Sequence, residues 1–468
     1  MSQTHAVVIG GSMAGLCTAR ILSTHFNRVT VLDRDTCPDG VRERAGVPQS
    51  RHVHALLVRG RQELNRLFPG FDSLMLERGA HEIDFGNDFA TLRNWGWERR
   101  RPTGMMTLFA SRNLIESTVR ELFRKLPNVE VLEQTSATGL GMAPTGPPRI
   151  NTVQLIPRDA EGPTSIQADL VVDASGRTSK APDWLQALGI TPPHETIVNA
   201  HTGYSSRWYQ APDQLPKDWW WKGVWLDLKL PEHPLAGVLF PVERNRWIVT
   251  LAGVSKHYPP KDDEEFTAAL SQLRSPVVAD AVRLAEPISS VYAYRKMENR
   301  FRRYEKWRAG VSGFIAVGDS TCAFNPVYGQ GMTTGTLSAG ALDECLKKYG
   351  PTHPDLSRHF FKAQARVQAA PWGLATGADF SLPTTEGERP KGARIVGPYM
   401  NALFMAAIED MTLRRYVGEV LQMLKPPSSF FTPAVMGRVA KGTLRRWWQH
   451  QSEQPAPPAM PPTPMPVV

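Results

Sequence analysis

The feature that most restricts what this chain can fold into lies at its N-terminus. A strand-like run, His5 to Ile9, enters Gly10-Gly11-Ser12-Met13-Ala14-Gly15, and the apolar spacing of Leu16, Ala19, Ile21 and Leu22 predicts a helix directly after it. Strand, glycine turn and helix in that order let a backbone approach a dinucleotide pyrophosphate and set it at a helix N-terminus, where unpaired N–H groups and the macrodipole favour negative charge. A second strand, Val29 to Leu32, ends in Asp33, about twenty residues beyond the glycines, where a carboxylate hydrogen-bonds a ribose hydroxyl. The middle glycine of the G-x-G-x-x-G pattern is Ser12 here, so the turn carries one small side chain. The plain alternative is a tight βα turn with no ligand. The register of strand, turn, helix and acid favours the nucleotide.

A chain of 468 residues predicts two to three domains. With 41% hydrophobic and 21% charged residues it reads as a soluble globular protein, and no apolar run is long enough to span a bilayer. The N-terminal apolar stretch is not a signal peptide, because glycines and Arg20 break it and no basic segment precedes it. Cys17, Cys37, Cys322 and Cys345 have no metal-like spacing and read as free thiols of a cytoplasmic protein; no metal site is expected. The net charge of +9 is spread thinly, which suits an anionic dinucleotide better than a nucleic-acid interface.

Along the chain, Arg34 follows Asp33 and leads into a loop rich in fixed donors, including Arg42, Arg44, Arg51, His52 and His54. Such a loop this close to a nucleotide fold is expected beside a ligand, the alternative being a solvated basic turn. Residues 55 to 68 predict an amphipathic helix. Short strands are expected over 83 to 110, where Phe85, Phe89, Trp95, Trp97, Met105, Met106 and Phe109 either line a pocket or form core. Ser111 caps the next helix and puts Arg112 in its first turn, facing phosphate. Asp169 to Ser179, with Asp173 and Gly176, is a buried strand running into a small-residue turn. Alternating runs between 196 and 255 predict an antiparallel sheet whose Trp219, Trp220, Trp221 and Trp225 either face a substrate or anchor the sheet, and helix returns over 263 to 285. A late strand delivers Gly318-Asp319, a loop turns on Pro326 and Gly329, and a helix starts at Gly331-Met332. Breaks are expected at Pro371, Pro383, Pro390 and Pro398, helices over 400 to 424 and 433 to 448, and a disordered proline-rich tail over 451–468. The helix ending Arg445-Arg446-Trp447-Trp448 reads as a pocket cap, a solvated end or a peripheral membrane contact.

Taken together, Gly10 to Gly15 with Asp33, Asp169 to Ser179, and Gly318 to Met332 resemble, over roughly residues 1 to 370, the single-component FAD-dependent monooxygenases, the group A hydroxylases and epoxidases. The strings Arg44 to His54 and Phe324 to Met332 are similar to the branch containing bacterial polyether polyene epoxidases. The resemblance implies an α/β fold: a Rossmann-type, glutathione-reductase-like FAD domain, discontinuous over 1–85, 105–195 and 285–370. It also implies an inserted antiparallel substrate domain over 86–104 and 196–284, and a C-terminal helical region over 371–450. Carried over residue by residue, Gly10, Gly11, Ser12, Ala14 and Gly15 hold the pyrophosphate, and Asp33 and Arg34 lie at the adenosine ribose. Arg112 meets the phosphates, Asp173 and Gly176 form a second backbone approach, and Gly318 and Asp319 hold the ribityl or pyrophosphate region. Arg44, Pro326, Gly329, Gly331 and Met332 contact the isoalloxazine and position it for catalysis.

The implied reaction passes one oxygen atom from a flavin C4a-hydroperoxide, made with O2, to an apolar substrate. Epoxidation of an alkene or polyene in secondary, polyketide-type metabolism is the leading form and hydroxylation the other. Epoxidation needs no catalytic base, whereas phenol hydroxylation commonly uses one, for which His52 or His54 would serve. The middle motif carries Ser175-Gly176 where hydroxylases have Asp-Gly, which leaves two electron donors open, NAD(P)H bound directly or a separate flavin reductase. Trp95-Gly-Trp97 is followed by Glu-Arg, so the W-x-W-x-I-P signature of flavin-dependent halogenases is absent. The rivals are an alkene-reducing prenyl reductase of the same superfamily and a non-catalytic escort protein on the same fold.

Overall fold

The computed structural model describes residues 3–94, 96–160, 162–295, 297–326, 329–389 and 393–449. Trp95, Tyr328, Pro390, the side chains of Trp447 and Trp448, and the 451–468 tail lie outside the described residues. The core of the molecule is a parallel sheet of five strands: β1 (His5–Ile9), β2 (Arg28–Leu32), β3 (Val129–Leu132), β4 (Leu170–Asp173) and β5 (Phe314–Ala316), in the spatial order β5-β4-β1-β2-β3. Helices cover both faces of such a sheet. That is why Val7, Val8, Val171, Val172, Phe314 and Ile315 form nearly unbroken apolar runs and are completely buried. The order reverses direction at β1, with β2 on one side and β4 on the other, and ligands of open α/β sheets bind beyond the strand ends at such a point.

Four helices frame that edge: α1 (Met13–Leu22), α2 (Arg112–Arg124), α3 (Gln330–Tyr349) and α4 (Leu356–Asp379). Ser111 caps α2 by accepting a hydrogen bond from the Leu114 N–H at 3.1 Å. A mostly antiparallel sheet stands opposite. Its strands at 203–210, 246–253, 235–242 and 223–226 are extended by Phe89–Arg93, which pairs in parallel with Gly223–Leu226, and then by Gly96–Trp97. Tyr292–Tyr294 also pairs with Gly203–Gln210, so the sheet runs past residue 284, the expected end of the inserted domain. One face packs on the helices Asp263–Leu270 and Val277–Arg283.

The C-terminal region adds α5 (Ala393–Ala406), α6 (Met411–Leu421) and α7 (Pro433–Gln449). Two expected breaks are absent: α4 runs through Pro371 and α5 through Pro398. A proline inside a helix costs roughly 3 kcal/mol locally. In α4 tertiary contacts on both sides of Pro371 offset it, because Phe360, Phe361 and Ala375 are buried and the Gln364 and Gln368 amides donate to Ala316 O at 3.0 Å and to Thr321 Oγ1 at 2.7 Å. The four cysteines are free and buried, and among the described residues no helix is long and apolar enough to cross a membrane and no metal-ligating cluster forms.

Candidate functional site

The three glycine-bearing segments leave the parallel sheet side by side. Ile9 of β1 is paired with Asp173 of β4, and Asp173 with Ala316 of β5, so Gly10, Ala174 and Gly318 emerge at one edge. Their approach is as close as backbone permits. A Cβ on Gly10 (φ +108°) would stand 2.5 Å from the Ala174 carbonyl oxygen, and one on Gly318 (φ +61°) would stand 2.6 Å from the Ala14 Cβ. Gly15 is required for another reason: a Cβ there would lie 1.8 Å from the Gly10 carbonyl oxygen, so only glycine lets α1 seat against its own turn. α3 starts beside this edge. Gly329 (φ +64°) sits against Ala55, its N–H donates to Pro326 O at 2.9 Å, and Gly331 has open space where a Cβ would be. Pro326 and Gly331 are exposed and Met332 is half-buried, so the N-terminus of α3 borders an opening.

Charge collects around one buried acid. Glu116 in α2 accepts from Ser12 Oγ at 2.8 Å, Arg112 at 2.7 Å, Arg44 at 2.5 Å and Arg120. Burial alone would raise its pKa. The arginines win and hold it down at about 2. Arg112 Nη2 also donates to Ser12 Oγ at 2.9 Å, whereas its Nη1 is buried with no acceptor among the described residues. A buried guanidinium nitrogen left unpaired is costly, and an anion at the start of α1 would satisfy it. Asp33 lies beside this cluster, accepting from the Gly11 N–H at 3.2 Å and from Arg44 Nη1 at 2.7 Å. Arg44 is thus pinned between Asp33 and Glu116, two buried carboxylates that fix where its guanidinium lies. Arg34 is exposed.

At the other end, the Asp319 carboxyl accepts no hydrogen bond among the described residues, and burial raises its pKa against the pull of Arg177 and Arg112. It is an unfilled acceptor facing the cleft. Asp173 is engaged by neighbouring protein groups. Completely buried, it accepts from the Ser175 N–H at 3.0 Å, the Ser175 hydroxyl at 2.5 Å, Ser320 Oγ at 3.2 Å and Ser179 Oγ at 2.6 Å, so its oxygens are committed to protein. The Gly176 N–H likewise donates to Ser320 Oγ at 2.8 Å. The pair is a strut joining the middle turn to the Gly318 segment.

The face of the antiparallel sheet away from the helices Asp263–Leu270 and Val277–Arg283 carries Phe89, Val238, Phe240, Trp208 and Ile248, which pack with Phe85, Phe109, Val53 and Ala55 as buried core. Phe109 stacks on Phe240 at 4.4 Å. Trp225 belongs to this face, whereas Trp219, Trp220 and Trp221 pack on the helix-covered side and anchor the sheet. His52 Nδ1 is within 2.8 Å of Ser206 Oγ, and His54 Nδ1 within 3.0 Å of the His52 carbonyl. Burial pushes His52 down to about 4 and His54 to about 3, so both are neutral and weakly basic near pH 7 and neither is poised as a general base.

Behind the Pro326 loop, the Asp379 carboxylate accepts from Asn299 Nδ2 at 2.5 Å and Asn325 Nδ2 at 3.1 Å with no cation in contact among the described residues. Burial pushes its pKa up to about 6 against those two donors. The folded chain therefore keeps a proton that the unfolded chain has already lost. The resulting stability is complete below the ordinary carboxylate value of 3.8 and is lost as pH rises through about 6. Asp379→Asn is expected to flatten this part of the profile: relative to the variant, the parent should lose roughly 2 kcal/mol of stability between about pH 4 and about pH 6 in denaturant titrations. Parallel profiles would mean that Asp379 titrates normally.

Glu116, Gln330 and Asp379 were not picked out by sequence reasoning. The four-residue spacing of Arg112, Glu116 and Arg120 on one helix face signals Glu116. Gln330, whose buried side-chain amide has no partner among the described residues, and Asp379 carry no local signal.

Comparison with known proteins bears on this geometry. The FAD binding domain family matches residues 3–347. Protein Rv3254 of Mycobacterium tuberculosis is 31% identical over 468 residues, spanning 97% of this chain and 96% of that protein. The flavin-dependent brominase Bmp2 has a similar structure at 12% identity (TM-score 0.67, covering 96% of this chain and 100% of that chain). So has p-nitrophenol 4-monooxygenase PnpA from Pseudomonas putida at 19% identity (TM-score 0.64, covering 90% of this chain and 99% of that chain). At these identities the two structures establish a shared fold, which serves both oxygenation and halogenation.

Proposed function

The chain belongs to the FAD binding domain family, and from that premise we propose that it is an FAD-dependent monooxygenase transferring one oxygen atom from O2 to an apolar substrate, foremost an alkene or polyene. The buried site accommodates the cofactor chemically. Ser12 and the free N–H groups opening α1 together with Arg112 Nη1 would hold the pyrophosphate, Asp33, which the Gly11 N–H steadies, the adenosine ribose, Asp319 a ribityl hydroxyl, and the Gly331-Met332 end of α3 the flavin ring. FAD supplies the redox chemistry, activating oxygen once it is reduced.

The protein's own contribution is to orient and to dry. The observation that carries the reading is the convergence of Gly10, Ala174 and Gly318 at one edge of the parallel sheet beside the unpaired Arg112 Nη1, while the buried apolar core of Phe89, Val238 and Phe240 that packs with Ala55 beside Gly329 makes that flank of the site apolar and suits a substrate without charge. The neutral, weakly basic His52 and His54 suit oxygen transfer to a double bond, which needs no base, better than attack on a phenol. NAD(P)H or a separate reductase would supply the electrons.

The test is to load the purified protein with FAD, reduce it without air, and admit isotopically labelled O2 with a panel of polyenes and phenols. A product carrying one labelled oxygen is the expected result. A saturated product without oxygen consumption would assign an alkene reductase instead, and a protein that never takes up FAD would leave the escort reading.

A further inference from the structure

A second cavity, of about 730 Å³, opens away from the flavin cleft between the strands Glu195–Val198 and Asn299–Arg302 and the end of α4. The two are separate. Thr376 and Phe380 line the cavity, while Asp379 between them turns to Asn299 and Asn325, so the end of α4 stands between the cavity and the Pro326 loop.

The floor is aromatic and the rim cationic. Trp372, Phe380 and Val198 supply the apolar surface; Arg303, Lys306 and Arg389 face Glu388 as the single carboxylate of the lining. Arg303 is preorganised: its guanidinium lies 3.9 Å over the Phe301 ring and 5.4 Å over Trp372, its Nε donates to Thr196 Oγ1 at 3.2 Å, and Glu305 holds Nη1 at 3.7 Å. Its Nη2 and the Lys306 amine have no partner among the described residues. Arg389 lies 5.5 Å over Phe380. A guanidinium held over an aromatic ring and by Thr196 keeps its remaining donors in place for an oxyanion, beside a surface suited to a planar apolar body. The volume falls within the range of small-molecule sites, roughly 300–1,000 Å³.

We propose that this cavity binds an organic anion with a flat apolar body, an aryl carboxylate or aryl phosphate, at a site separate from the flavin cleft. Titration calorimetry on the full-length, FAD-loaded protein tests it with three probes of one shape: 2-naphthoate, 2-naphthyl phosphate and the neutral 2-naphthalenemethanol. Both anions are expected to bind with one site per chain and at least tenfold more tightly than the alcohol; a gap between them identifies the preferred oxyanion. Arg303→Ala should cost the anions at least tenfold and leave the alcohol nearly unchanged, while Trp372→Leu should weaken all three. Because Arg303 also packs on aromatic rings, Lys306→Gln, at an exposed and unpaired position, is the second variant and should cost the anions about threefold. Equal affinity for anions and alcohol, or anion binding unaltered in both cation variants, would overturn the proposal.

Discussion

Gly15→Ala is expected to abolish FAD retention and to destabilise the fold by about 3 kcal/mol or more. The added carbon would stand 1.8 Å from the Gly10 carbonyl oxygen and 3.4 Å from the Ala174 Cβ, contacts that no rotamer relieves because a Cβ has none. α1 would have to lift off its turn, and overpacking of a tight core typically costs 1–3 kcal/mol even where side chains can yield. Lifting α1 also displaces the N–H groups of Gly11 and Ser12 and loosens the contact between Ala14 and Gly318, which joins the first motif to the last. Gly331→Ala separates the two consequences. Nothing lies within 4 Å of a Cβ at that position, so the FAD-free variant should melt like the parent, whereas its FAD affinity should fall if the flavin ring rests there. Thermal denaturation and flavin absorbance after gel filtration measure both. A Gly15→Ala protein that keeps its flavin and its melting temperature would mean that α1 packs differently from the arrangement described.

What could be read from the sequence divides along a physical line. The positions of Gly10, Gly15 and Gly318 were legible because backbone sterics act between near neighbours and at strand ends, and the parallel sheet because its strands are apolar on both faces. Side-chain assignments were less so, since a polar group takes whatever partner the fold delivers. Nothing near Asp173 and Gly176 in sequence announces Ser320, 144 residues beyond Gly176, whose hydroxyl accepts from the Gly176 N–H and donates to the Asp173 carboxylate. Arg44 lies in a loop expected beside a ligand, but the spacing along α2 does not reveal that Glu116 would draw it inward. Proline gave the opposite error at Pro371, where a strong local rule yielded to the burial of Phe360, Phe361 and Ala375 around it. Asp379, isolated in sequence, becomes visible only where α4 ends against Asn299 and Asn325.

Arg112→Ala should lower FAD affinity about 100-fold while changing the stability of the FAD-free protein little. Charge-assisted hydrogen bonds are worth roughly 1.5–3 kcal/mol each, and 2.8 kcal/mol is about a hundredfold in a dissociation constant. Two arginines of the cluster have a donor left over among the described residues, and Arg112 is the one that also reaches Ser12: its Nη2 is satisfied by Ser12 at 2.9 Å and Glu116 at 2.7 Å, while its Nη1, like Arg120 Nε, is buried and unpaired. Alanine removes that unpaired donor together with one of the three arginines on Glu116, and the remaining pair, Arg44 and Arg120, keep the acid compensated. The two changes act in opposite directions on the FAD-free fold, so its denaturation midpoint should move little. With FAD the cancellation ends, because the phosphate loses its buried donor fork and gains nothing in return. Arg112→Lys should recover part of the affinity, since an ammonium restores the charge without the fork. Quenching of FAD fluorescence on titration with protein gives both constants. Equal affinity in the parent and the alanine variant would mean that Arg112 serves Glu116 alone, and that the pyrophosphate end of the cofactor lies elsewhere along the cleft.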